Sequence, residues 1–141
     1  VLFRSQKEQH LLTATDPSDF QFKSAMGLSC PDDANCDAKY AGFFNQVYGA
    51  AKRYQYYVRH ESQYAYHAGA LNYVRYNPNA GCGGSDVYIE NKATALLYIY
   101  TPYQPNEAAL KAGAGEGDAC STYGNRNFAI IYNSMFGNPR D

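Results

Sequence analysis

Asn72-Tyr73-Val74-Arg75-Tyr76 and, after a turn-rich stretch, Val87-Tyr88-Ile89-Glu90 decide the fold class of this chain. Both runs alternate apolar and polar side chains with a period of two, the pattern of a half-buried strand. Between them lie Asn77-Pro78-Asn79 and Gly81-Cys82-Gly83-Gly84-Ser85, all turn formers, so the runs are expected to flank 77–86 as one hairpin. Elsewhere the apolar spacing is three and four. Upstream, Phe43, Val47, Ala50, Ala51, Tyr54 and Val58 form the core stripe of a helix predicted over 38–58, with Asp37 as its N-cap. The other side of that helix carries Gly42, Gln46, Gly49 and Arg53, where two glycines would let something approach the backbone closely. Downstream, Asn91 is the expected N-cap of a helix from Lys92 to about Thr101, ended by Pro102. A short helix over 106–112 closes at Gly113, a glycine-rich loop over 113–118 leads to Cys120, and a last helix runs from about Asn125 to Phe136, stopping at Gly137. At the other end, residues 1–13 read as the end of a helix with Val1, Ser5, Glu8 and Leu12 on one face. Asp16-Pro17 then reads as the start of a short helix that stops near Gly27. The expected class is α+β, mostly helical, with one β-hairpin.

At 141 residues the chain is long enough for one domain with a single core. Twelve basic against thirteen acidic side chains leave a formal charge of −1, so no basic field exists to attract nucleic-acid phosphates. No apolar run approaches the roughly 20 residues that span a bilayer. The opening Val1-Leu2-Phe3-Arg4 reads as mid-helix, so a preceding leader or helix is expected. The four cysteines, Cys30, Cys36, Cys82 and Cys120, lack metal-ligand spacing and sit beside turn formers, where loop staples go. Pairing as Cys30–Cys36 and Cys82–Cys120 is favoured because the first closes a tight local loop; other pairings, and free thiols, stay open. Disulfides form in oxidising compartments, so a secreted or cell-wall-facing protein is expected. No metal or cofactor is expected, and the chain is expected to be a monomer.

Fifteen residues are tyrosine and none is tryptophan. They crowd at Tyr54, Tyr56, Tyr57, Tyr64 and Tyr66, at Tyr73 and Tyr76, and at Tyr98, Tyr100 and Tyr103. A ring with a wet hydroxyl suits a surface that grips a flat, polar partner such as a sugar, a protein epitope or single-stranded nucleic acid. Tyr54 falls on the core stripe and is expected to pack, whereas Arg53 and Tyr57 are candidates to contact a ligand. His10, His60 and His67 have no Ser or Cys in a nucleophile elbow near them in sequence and read as surface histidines.

Glu8 is the candidate for chemistry. On a half-apolar helix face, partial desolvation would favour the protonated acid, which is what glycosidic bond cleavage asks of its general acid; lysozyme is the established case of such tuning. The plainer alternative is a surface glutamate paired with Arg4 one turn away. Ser5-Gln6-Lys7-Glu8-Gln9, Ala25-Met26-Gly27 and Gly42-Phe43-Phe44-Asn45-Gln46, followed by a tyrosine-bearing helix, resemble the lysozyme superfamily, and within it the soluble-lytic-transglycosylase-type domains. With Gln6-Lys7-Glu8-Gln9 and Gly42-Phe43-Phe44-Asn45-Gln46-Val47-Tyr48, the chain is also similar, over nearly its whole length, to uncharacterised secreted actinobacterial proteins, some labelled haemagglutinin-like. Tyr76-Asn77-Pro78-Asn79, Tyr100-Thr101-Pro102-Tyr103-Gln104-Pro105-Asn106 and Tyr123-Gly124-Asn125-Arg126-Asn127-Phe128 carry that likeness.

The resemblance implies a single lysozyme-like domain over 1–141 acting on peptidoglycan or a related amino-sugar glycan. It makes Glu8 the catalytic acid, Gln46 a sugar contact, and Tyr98, Tyr100 or Tyr103 the groove tyrosine. Two departures stand out: the family's Glu-Ser pair is Glu8-Gln9 here, and its Ala-Tyr-Asn-x-Gly helix appears only as Tyr98-Ile99-Tyr100-Thr101-Pro102-Tyr103. For a second carboxylate the sequence offers Asp16, Asp19, Asp32, Asp33, Asp37, Asp86 and Glu90, none in a distinctive setting. Asp16 and Asp37 read as helix caps, which favours a one-carboxylate scheme. The expected activity is therefore that of a lytic transglycosylase or muramidase; a non-catalytic glycan-binding or adhesion module is the alternative.

Overall fold

The computed structural model describes residues 2–31 and 34–138. Val1, Asp32 and Asp33, named above for a helix face and as candidate carboxylates, lie outside the described residues. The chain forms two compact units, Val1–Tyr56 and Tyr57–Asp141. It combines helices with a two-stranded antiparallel sheet, an α+β composition.

In the first unit, helix α1 covers Leu2–Gln9 and is shorter than the expected 1–13. His10 leaves the helix at φ 56°, and the Gln6 amide catches the outgoing chain: Leu12 N and Thr13 N donate to Gln6 Oε1 at 2.8 and 3.2 Å. Helix α2, Asp19–Lys23, is capped by Ser18, so the expected cap at Asp16 is corrected. Gln21 N donates to Ser18 Oγ while Ser18 N donates to Gln21 Oε1, a reciprocal capping box that a lone Asp-Pro cannot match. Helix α3, Phe43–Arg59, begins later than expected. Asp37 does not cap it; its carboxylate instead accepts from Lys39 N at 2.9 Å in a local turn. Gly42, at φ 96°, makes the final bend into the helix, so its glycine serves a backbone conformation rather than a close approach. On the expected core stripe Ala50 is fully buried, but Phe43 stays 49 % exposed with its ring edge-on to Phe22. Ala25, Met26, Leu28 and Cys36 are the unit's other buried apolar side chains among the described residues, and the Cys30–Cys36 disulfide closes the loop that follows Leu28.

In the second unit, β1 (Ala70–Arg75) pairs with β2 (Gly84–Ile89) in a register running from Ala70 opposite Ile89 to Arg75 opposite Gly84. The period of two sorts the faces: Asn72, Val74 and Ile89 are buried, while Leu71, Tyr73 and Tyr88 are exposed on the other side. Gly84 lies so close to the Val74 carbonyl that no side chain would fit there, which lets β2 start at the glycine. The tip is held by turn chemistry: Asn79 N donates to Asn77 Oδ1 and Gly81 N donates to Asn79 Oδ1. Helix α4, Lys92–Tyr100, has Asn91 as its N-cap, accepting from Thr94 N at 2.9 Å. Helix α5, Glu107–Lys111, is capped the same way by Asn106, and α6, Gly124–Phe136, ends at Gly137 with φ 80°. Cys82 is bonded to Cys120, so both disulfides follow the favoured pairing. Among the described residues no helix is long and apolar enough to cross a membrane.

Candidate functional site

Glu8 sits at the end of α1, with its side chain 24 % exposed. It rests on Gly27, which adopts φ 60°; a Cβ there would lie 3.0 Å from Glu8 Oε2. A side chain at 27 would thus meet both a strained backbone and the carboxylate. Glu8 Oε1 accepts from Lys7 Nζ at 3.2 Å, and Lys7 is itself only 14 % exposed. Arg4, one turn before Glu8, is largely buried and lies over the Tyr54 ring at 5.8 Å. Tyr54 therefore packs as expected.

Gln46 is the largest correction. It is fully buried, and every hydrogen-bonding position of its amide is committed within the protein. Its Oε1 accepts from Met26 N and Leu28 N, both at 3.0 Å, and its Nε2 donates to Leu28 O and Tyr40 O, both at 2.8 Å. A side chain so occupied has nothing left to offer a sugar. Its neighbour Gly49 does permit a close approach, but the group approaching is the protein's own Leu28, whose Cδ2 would lie 2.7 Å from a Cβ there.

Several polar residues of the later segments, Gln104, Asn106, Asn125 and Arg126, are fastenings of the same kind. Gln104 Nε2 donates to Val74 O and Ser85 Oγ, fixing its loop to the hairpin. Asn125 Nδ2 donates to Thr101 O and Tyr103 O. Arg126, 6 % exposed, donates to Ala109 O and Gly115 O at 2.8 Å each and lies 4.3 Å from the Tyr123 ring centroid. Asn106 Nδ2 and Ser121 Oγ donate to Asp118 and hold its carboxyl below the ordinary range. Together these bonds pin the glycine-rich loop 113–118 from both ends.

The tyrosines expected to line a groove all fall in the second unit, whereas Glu8, Gln46 and Arg53 belong to the first. Tyr57 packs edge-on against Tyr64 at 5.1 Å. Tyr98 lies 5.6 Å from Tyr66, and Tyr66 Oη donates to Pro102 O at 2.7 Å. Burial pushes both of these phenols above the ordinary tyrosine range; the nearby Tyr103 adds to the effect on Tyr66, and Tyr66 adds to that on Tyr98. Tyr100 and Tyr103 are half-buried. The same unit has an apolar groove of about 980 Å³ between α4 and α6, walled by Leu97, Phe128, Ile130 and Tyr132, and none of the expected tyrosines lines it.

Arg53 lines a smaller cleft in the first unit with residues that sequence reasoning missed, Lys39 and Lys52 among them. Part of the signal was readable: Asn45, Gly49 and Arg53, and likewise Tyr48, Lys52 and Tyr56, recur at helical spacing on α3. The contribution of Lys39, from a loop, was not. Among the described residues no three His, Cys, Asp or Glu side chains are grouped to hold a metal ion. No family model, curated protein or solved structure matches this chain.

Proposed function

We propose that the chain is a secreted cell-wall glycosidase, a lytic transglycosylase or muramidase, that cleaves between N-acetylmuramic acid and N-acetylglucosamine with Glu8 as general acid and base. The observation that carries this reading is the setting of Glu8: a carboxylate 24 % exposed at a helix end, against a glycine backbone at φ 60°. A group sheltered from water yet reachable is what proton transfer to a glycosidic oxygen requires. The motif resemblance points to the same residue, and two disulfides fit an oxidising compartment.

In this scheme the Glu8 carboxylic acid gives its proton to the glycosidic oxygen as the C1–O bond breaks. The acetamido carbonyl oxygen of the same sugar closes onto C1. Glu8, now a carboxylate, takes the proton of the C6 hydroxyl as that oxygen displaces the acetamido oxygen from C1, leaving a 1,6-anhydro end. In the hydrolytic variant a water replaces the hydroxyl. One carboxylate suffices, whereas the common two-carboxylate routes need a second one about 5 to 9.5 Å away. Asp16, Asp19 and Asp37, the other described carboxylates of the first unit, are all exposed, and Asp37 is engaged in its turn.

One observation favours the alternative of a glycan-binding or adhesion module without catalysis: Lys7 Nζ occupies Glu8 Oε1. Incubating purified peptidoglycan with the protein and with Glu8→Gln separates the two. Release of anhydro-muropeptides by the wild type, seen by mass spectrometry and abolished in Glu8→Gln with glycan binding kept, supports the enzyme. Binding without release at any pH overturns it.

A further inference from the structure

The cleft around Arg53 gathers side chains of one charge sign beside aromatic rings. Three cations, Lys39, Lys52 and Arg53, line it together with Tyr40, Tyr48 and Tyr56, and among the described residues no Asp or Glu does. In a chain of net charge −1 such a one-sided grouping is not an average of composition. All three cations are exposed, and among the described residues none of them is in an ion pair, whereas Lys7, Lys92 and Lys111 all are. Uncompensated like charges in one concavity repel one another, and an anion relieves that repulsion.

The walls are flat and held in place. Tyr48 stacks on Phe44 at 5.7 Å with 5° between the rings, and Lys39 Nζ lies 5.4 Å from the Tyr40 centroid. The loop bearing Lys39 and Tyr40 is fastened to α3 by Gln46, which donates to Tyr40 O, and is closed behind by the Cys30–Cys36 bond. The backbone that carries Lys39 and Tyr40 is therefore tied to α3 before any ligand arrives. The cleft's volume, about 310 Å³, lies at the small end of the roughly 300–1,000 Å³ typical of ligand pockets, room for one ring rather than a polymer strand.

We propose that this cleft is a binding site for a single sugar unit carrying a phosphate or a carboxylate, the oxyanion held by Lys39, Lys52 and Arg53 and the ring laid against Tyr48 or Tyr56. The assignment does not depend on Glu8, and its test involves no cleavage. Glucose 6-phosphate, glucuronate, glucose and inorganic phosphate are titrated into the full chain by calorimetry and by amide chemical shifts. The two anionic sugars, which separate a phosphate source from a carboxylate one, are expected to bind more tightly than glucose and than phosphate alone. Binding should weaken as ionic strength rises from ~0.01 to ~1 M, where the screening length falls from about 30 to about 3 Å. K39Q/K52Q/R53Q should weaken it by about tenfold or more, the loss expected for charge-assisted hydrogen bonds, with an unchanged melting temperature. Y48A/Y56A should remove the preference for sugar phosphate over inorganic phosphate. Equal binding of glucose and glucose 6-phosphate, equal binding of the triple variant and wild type, or no binding at millimolar ligand would each overturn the proposal. Inorganic phosphate binding as tightly as the sugar phosphate would overturn the sugar part of it.

Discussion

The two units use similar residues in opposite ways. In the first, charged groups and rings are left facing water: Glu8 is part-exposed, Lys39, Lys52 and Arg53 share a cleft, and Phe44 and Tyr48 are 73 % and 58 % exposed. In the second, Tyr73 and Tyr88 face water, but Tyr57, Tyr66 and Tyr98 pack on other tyrosine rings and the polar residues Gln104, Asn125 and Arg126 turn inward onto backbone carbonyls. A tyrosine-rich sequence therefore does not by itself mark a gripping surface. The hydroxyl that could meet a sugar can equally meet a carbonyl, as Tyr66 meets Pro102 O.

The largest expected contrast concerns the disulfides. Cys82–Cys120 closes a separation of 38 residues and Cys30–Cys36 one of 6. On loop-closure entropy, C82S/C120S should cost about 4 kcal/mol and C30S/C36S about 2 kcal/mol, read by urea denaturation of each double variant. Equal losses would mean that native strain or unfolded-state structure, rather than loop length, governs both staples. The comparison between units would then rest on their side chains alone.

Next comes Gln46. Truncation to Ala strands two buried amides and two carbonyls, each worth about 1–3 kcal/mol when left unpaired, so a loss of about 3 kcal/mol or more is expected in chemical denaturation. Gln46→Glu restores the acceptor but not the donor and buries a charge, so it should not rescue. A variant of unchanged stability with weakened glycan binding would return Gln46 to the role that resemblance assigned it.

A matched pair of glycines sharpens the view of Glu8. Gly27 and Gly69 both have positive φ, 60° and 74°, yet only Gly27 touches a functional candidate; nothing lies within 4 Å of a Cβ at 69. Alanine at either position should cost about 1–2 kcal/mol for the left-handed backbone. Only Gly27→Ala should also impair muropeptide release, because its methyl group displaces the Glu8 carboxylate. Equal activity of the two variants at equal stability would show that the position of Glu8 does not matter to release.

The hairpin was legible because its two faces meet different surroundings, so period two survives in the letters: Val74 and Ile89 inward, Tyr73 and Tyr88 outward. The cap at Asn91 and the stop at Gly137 were legible because capping is local. Ser18 with Gln21 three residues on was a readable capping box, outweighed by the louder Asp16-Pro17. Gln46 was not legible. A glutamine spaced with Gly42, Gly49 and Arg53 reads as a solvent face, and only the return of 24–40 over the helix buries it. The meeting of Lys39 with Lys52 and Arg53 is likewise non-local, which is why the cationic cleft appears only in three dimensions.

The smallest expected effect tests the second unit's inward-turned tyrosines. Burial raises Tyr98 and Tyr66 above their ordinary value of 10.0, so above pH 10 the unfolded chain loses phenolic protons that the folded chain keeps. The folded state then binds more protons than the unfolded, and stability falls as pH rises through and beyond 10, while below that pH both phenols are neutral in either state and contribute no slope. Tyr98→Phe keeps the ring and removes one such proton. It should leave stability at neutral pH within about 1 kcal/mol of wild type and make the alkaline decline shallower, measured by denaturation between pH 8 and pH 11.5. Absorbance at 295 nm should show one fewer late-titrating phenol in the same variant. Were Tyr98 instead to ionise together with the exposed tyrosines, its ring would be open to water, and the division between a self-satisfied second unit and a ligand-facing first one would lose its clearest example.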